Sequence, residues 1–240
     1  MKSKFLLCLL LVITITSFKK YQKNENPDYR LKKNISLIKP SDSITYSYTP
    51  DGKIAEYHEG RMRSIYSYIG NKVIEDRRIV NSSSTYIYYL NQNGRADSLI
   101  AVEDDSVRFR IRYVYDNNDY IIGWLSGKSS NNFDLKMEIE NGNVVKEIYY
   151  NKGKESAVSY MEYYPNIPNQ PCRLHTASLG YTFMGADSKN LLKQRIQVRN
   201  STDTVSINLH HYTFDDKGRI KFDAIYNKYG ILVDSVEHFY

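Results

Sequence analysis

Cysteine is nearly absent from this chain of 240 residues: there are two, Cys8 and Cys172. Cys8 lies inside the N-terminal apolar run, so removal of that leader leaves Cys172 alone. One thiol forms no internal disulfide and builds no cysteine-based metal site, so stability has to come from secondary structure and its core. A nucleophilic role would need a positioned histidine. His175 is close in sequence, but Pro165, Pro168 and Pro171 mark that stretch as a loop. Tryptophan occurs once, as Trp124. Long apolar runs are missing too. The longest, Phe5–Ile15, falls short of the roughly 20 residues that a membrane-spanning helix needs. Helical spacing is almost absent; residues 186–194, with Asp187 or Ser188 as N-cap, are the best exception. The net charge is +6, including Lys2 and Lys4, and both signs are interspersed. That excess keeps a protein soluble and is no nucleic-acid footprint.

What the chain has is tyrosine, 23 of them against 8 phenylalanines. An apolar ring with a hydroxyl at its edge suits a half-buried strand. The tyrosines recur in a hairpin phrase: an aromatic pair with one residue between, a turn rich in Gly or Asn, then a basic or polar residue and an aliphatic one. It reads Tyr46-Ser-Tyr48 before Gly52, Tyr66-Ser-Tyr68 before Gly70, Tyr86-Ile-Tyr88 before Gly94, Tyr113-Val-Tyr115 before Asp119, and Tyr212-Thr-Phe214 before Gly218. Repetition at about 20 to 27 residues points to one supersecondary unit used many times. From Ser41 onward the period is 2. In residues 108–115, Phe109, Ile111, Tyr113 and Tyr115 share one face, and Arg108, Arg110 and Arg112 the other. The turns hold residues that tolerate positive φ. About 14–16 short strands follow. They predict an all-β antiparallel meander that curls into a barrel or strongly curved sheet, because so long a sheet must close or protect its edges. One break stands out at His210-His211: Val205, Ile207 and Leu209 are in one phase, Tyr212 and Phe214 in the other. A β-bulge near His210 is the expected repair.

The N-terminus reads as an export signal over residues 1–18, with a basic start, an apolar run and small residues at Thr16-Ser17. Leu7 precedes Cys8 in mid-run, which is not a lipid-attachment pattern. Residues 19–40 read as a polar, basic tether, and residues 41–240 as a single domain. Membrane contact is expected only through the signal segment or the tether.

The ordered hairpins, together with Leu179-Gly-Tyr-Thr-Phe183, Ser188-Lys-Asn-Leu191 and the closing Tyr212–Ile220 hairpin, resemble cell-envelope domains of unknown function from Bacteroidetes with a porin-like β-barrel fold. The resemblance covers roughly residues 44–240. It implies a fold and an envelope location and no activity. Members are often lipoproteins, a pattern this chain departs from.

No nucleophile, base and orienting group assemble in the sequence, so no catalytic residue is assigned. His210, His211, His175 and His238 are weak metal candidates, and neither a metal nor a cofactor is expected. Asp104-Asp105 and Asp215-Asp216 could supply paired carboxylates for glycan hydrolysis, yet both sit where turns favour aspartate. Trp124 could stack on a sugar ring, and the Arg108, Arg110 and Arg112 stripe could hold a polyanionic glycan. The expected function is an exported envelope protein that binds or scaffolds, its partner a glycan or an envelope protein. The alternatives are a secreted glycan-active hydrolase and a membrane-inserted barrel. A lipid-facing apolar band would need longer strands than the 5 to 8 residues read here, so the tyrosine face is placed inside.

Overall fold

The computed structural model describes residues 30–38, 43–126, 133–170, 182–199 and 203–240. The predicted signal segment, most of the predicted tether, Cys172 and His175 lie outside them. Sixteen antiparallel strands form a closed barrel in which each strand pairs with its sequence neighbours and the first pairs with the last. They are β1 Lys33–Ser36, β2 Ile44–Tyr48, β3 Ile54–Glu59, β4 Met62–Ile69, β5 Lys72–Ile79, β6 Ser82–Leu90, β7 Ala96–Glu103, β8 Ser106–Tyr115, β9 Ile121–Ser126, β10 Leu135–Glu140, β11 Asn143–Asn151, β12 Lys154–Pro168, β13 Asn190–Arg199, β14 Asp203–Phe214, β15 Ile220–Tyr226 and β16 Leu232–Phe239. Closure removes every open edge.

Four sequence expectations change. The tether yields its end to the barrel: β1 lies within residues 19–40 and pairs with β16. Its buried residues include Asn34 and Ser36, which are polar, so no hydrophobic alternation announced it. Residues 186–194 form no helix among the described residues; a 3-10 turn at Thr182–Met184 precedes β13. Pro165 belongs to the end of β12, where the pairing with β13 is irregular between Tyr163 and Pro168. No bulge sits at His210. The irregularities that touch β14 lie opposite Gln197/Val198 and at Thr213/Phe214. Ile207 and Leu209 point outward and Tyr212 inward, so both faces of this strand carry apolar groups.

The turn phrase has a single physical basis. Asn91 donates its N–H to Arg95 O and takes the N–H of Gly94 on its own carbonyl, while its side-chain oxygen accepts from the N–H groups of Asn93 and Arg95. Asp116, Asp215 and Asn227 repeat both side-chain bonds two and four residues on. Thr49 does the same with one, to Lys53. The fourth residue of each unit has positive φ: Gly52, Gly94, Asp119, Gly218 and Gly230. Each is a three-residue hairpin loop with a glycine-type bulge. A register shift follows in the flanking strands, as at Tyr89/Leu90 and Val114/Tyr115.

The tyrosine has an equally specific task. The hydroxyl of Tyr48 donates to Leu31 O at 2.7 Å, Tyr68 to Ile54 O at 3.0 Å, Tyr115 to Ala96 O at 2.7 Å, Tyr163 to Val144 O at 2.7 Å and Tyr212 to Leu192 O at 2.9 Å. Each reaches back to the start of the preceding strand. At Ile54 and Ala96 the hairpin bulge disturbs the ladder, and a buried carbonyl would otherwise cost free energy.

Candidate functional site

In a closed barrel the inward side chains line a sheltered volume, and their exposure changes along the wall. Down β6 the inward residues Ser82, Ser84, Tyr86 and Tyr88 go from exposed through half-buried to buried. Down β8, Phe109 is exposed, Ile111 half-buried and Tyr113 buried. The interior therefore opens to solvent along these strands at the end that carries the β5–β6 and β7–β8 turns.

The opposite end holds a plug. Residues 182–189, which lead into β13, place Phe183 and Met184, 4% and 3% exposed, in the main core cluster. The Phe183 ring lies 5.0 Å from Tyr88, centroid to centroid. Backbone bonds Ala186 N–H to Asp119 O and Lys189 N–H to Gly142 O fasten the segment to two hairpin loops. Gly185 adopts φ +107°, and a Cβ there would stand 2.6 Å from Asp119 O. Only glycine allows that approach.

Above the plug the wall carries three buried carboxylates, each provided with donors. Glu75, fully buried, accepts from Ser64 Oγ at 2.8 Å, Tyr88 OH at 3.1 Å and the Arg77 guanidinium at 2.8 Å. Arg77 in turn stacks over the Tyr86 ring at 4.2 Å. Glu147 accepts from Tyr149 OH at 2.6 Å and from Arg195 at 2.7 Å. Asp223 faces His210 Nδ1 at 3.1 Å, and the His210 ring stacks on Tyr212. A buried carboxylate is tolerable only when paired and hydrogen-bonded in this way. The hydroxyls around them are held neutral. Burial foremost, then the Glu147 charge and hydrogen bond, pushes Tyr149 up to about 12. Burial raises Tyr163 to about 12 as well, and the hydroxyls of Tyr57, Tyr88 and Tyr113 are likewise raised.

The predicted ligand residues do not converge. Trp124 is half-buried and packs against the core cluster, paired with inward Tyr113 and Leu135. Arg110 and Arg112 are exposed and point outward, paired with Ile100 and Ser98. A register shift between Ala101 and Val102 takes Arg108 out of their row, and it pairs with Glu103 at 2.7 Å. His210 faces inward and His211 outward, and no group of His, Cys, Asp and Glu able to hold a metal occurs among the described residues. Asp104 and Asp105 occupy a turn at positive φ, and Asp215 is consumed by its own hairpin. Sequence reasoning missed the Glu75, Glu147 and Asp223 clusters. Their one signal was a charged residue at an inward position of an alternating strand.

No family model matches the chain, and no curated protein matches it. Among solved structures the barrel is similar to a porin-like protein from Bacteroides uniformis, with TM-score 0.66 and 13% identity over 89% of this chain and 97% of that one. It is also similar to a porin-like protein from Bacteroides vulgatus, with TM-score 0.62 and 16% identity over 88% and 98%. At this identity the likeness is one of fold: an all-β antiparallel meander closed into a barrel.

Proposed function

We propose that this chain is an exported cell-envelope protein that works as a binding or scaffolding module and does not conduct solutes. The interior carries that reading. A conducting barrel keeps a polar, water-filled lumen, whereas here Phe183 and Met184 fill one end and each of Glu75, Glu147 and Asp223 is taken up by partners in the wall. The same pairing leaves none of these three carboxylates poised for glycan hydrolysis. The export signal and the fold shared with porin-like proteins support an envelope location. A glycan or another envelope protein fits as partner, received at the open end or on the outer wall.

The test expresses the full-length chain with its leader, fractionates the cells and applies the purified mature protein to planar lipid bilayers. The expected outcome is a processed protein in the envelope fractions that adds no stepwise conductance. Discrete, voltage-stable conductance steps would establish a pore and overturn the scaffold reading. Retention of an unprocessed chain in the cytoplasm would overturn the envelope reading.

A further inference from the structure

The two halves of the barrel wall differ in the polarity of their outer faces. In β2–β9 the inward side is mainly apolar, with Tyr57, Tyr66, Val73, Leu99 and Tyr113 in the core around the Glu75 cluster. The outward side is interrupted by charge in nearly every row: Arg63 with Glu56 on β3–β4, Asp76 and Arg78 on β5, Arg110 and Arg112 on β8. In β13–β16 the inward side mixes buried apolar groups, Leu191, Ile220, Ile225 and Val236, with polar ones. Arg195, Gln197, Asn208, His210, Asp223 and Asp234 face inward. Outward, Tyr160, Ile196 and Ile207 form one row across β12–β14. Leu209, Tyr226 and Leu232 form the next across β14–β16.

This apolar field continues onto the β15–β16 turn at the open end. Tyr229 is 74% exposed, Ile231 59% and Val233 42%, and Lys228 lies over the Tyr229 ring at 5.0 Å. Leu37 adjoins it, its N–H bonded to Ser235 O, with Leu37 51% and Ile38 44% exposed. The ionisable groups on this outer face, Lys193 beside Glu162, His211, Lys221 over the Phe222 ring and Glu237, all lie towards the plugged end. An apolar outer face is what a wall that meets lipid presents. The charged face of β3–β8 forbids lipid all the way round.

We propose that the outer face of β13–β16, with the β15–β16 turn, docks one side of the barrel onto a lipid bilayer, the turn entering the headgroup region. Curvature selects lipid over a second copy. Sixteen strands at about 4.8 Å spacing and a usual tilt give a wall of radius roughly 16 Å. Two such convex walls meet in a strip of about 300 Å² per partner, far below the roughly 800 Å² of a stable pair. A fluid leaflet deforms around the field and covers it. Tyrosines at its margin suit the interface, and Lys228 on the entering turn favours anionic headgroups.

The experiment is flotation of the purified, leader-processed protein with vesicles of phosphatidylcholine and phosphatidylglycerol. The protein should float, and a Y229S/I231D/L232D variant should lose about tenfold or more of its partitioning. I69D is the control: Ile69 is 61% exposed at the plugged end, so this variant should float like the parent. Near-ultraviolet circular dichroism of each variant checks that the barrel is intact; Y229S and I231D alone, at exposed turn positions, provide the reading if the triple variant fails to fold. Three results overturn the proposal: no flotation of the parent, equal flotation of parent and turn variants, or a parent dimer on light scattering that the turn substitutions split. The last would assign the face to a second copy. Bilayer conductance does not enter this test, so its outcome is independent of the pore assay.

Discussion

At the scale of single residues, the tyrosine hydroxyls and the wall carboxylates make separable contributions. Tyr68→Phe keeps the ring and removes the donor to Ile54 O. It should cost about 1 kcal/mol in denaturant unfolding, the usual worth of one such bond. Glu75→Ala should cost more, about 3–5 kcal/mol, since it strands the Arg77 guanidinium along with the Ser64 and Tyr88 hydroxyls inside the wall. Glu75→Gln, which keeps an acceptor oxygen, should fall between the parent and the alanine variant. The tyrosines were legible in sequence as a repeated pair, but their task was not. A hydroxyl that reaches a carbonyl 14 to 20 residues back, as Tyr68 and Tyr212 do, is defined by strand pairing and not by local pattern. Trp124 shows the converse: a residue type suggestive of ligand stacking proved to face the core because of the strand phase it occupies.

At the scale of elements, the hairpin loop is the unit most fully written in the chain. Gly218 has φ +74° with open space where a Cβ would stand. Gly218→Ala should therefore lose only the conformational preference, about 1–2 kcal/mol, and Gly218→Asn less, because asparagine tolerates this region. Thermal melts of the two variants compare them directly. The plug is the contrasting element. Phe183 is buried against Tyr88, and Phe183→Ala should destabilise by about 3–5 kcal/mol. The strands of β2–β9 were readable because polar and apolar residues alternate with the apolar set inside. The reading faltered at β1 and β14, where the inner face is polar or both faces are apolar. Periodicity reports that two faces differ, and does not say which one is covered.

At the scale of the whole molecule, buried phenols make the barrel an alkali-labile structure. Tyr149 and Tyr163, pushed to about 12 from an ordinary value of 10.0, stay neutral when folded at a pH where the unfolded chain would already have lost those protons. The native state then binds more protons than the unfolded one, so the contribution of these phenols to stability is level below about pH 10 and falls as pH rises beyond it. A titration followed by tyrosinate absorbance should show exposed phenols ionising first and the buried set only with loss of near-ultraviolet circular dichroism. Ionisation of all 23 tyrosines in one early step, with the fold intact, would contradict this. The closing seam has a further consequence. β1 holds β16 through four residue pairs and β2 through two, so the ring is joined by a short strand from one extreme of the domain and a strand from the other. The ribosome delivers β1 first and β16 last. Until the final residues emerge, the meander is an open ribbon with two bare edges, ready to pair with any neighbour. For this protein the vulnerable interval therefore lasts until β1 and β16 are both present to pair. A chain truncated before Leu232 should accumulate as aggregate, however complete its hairpins.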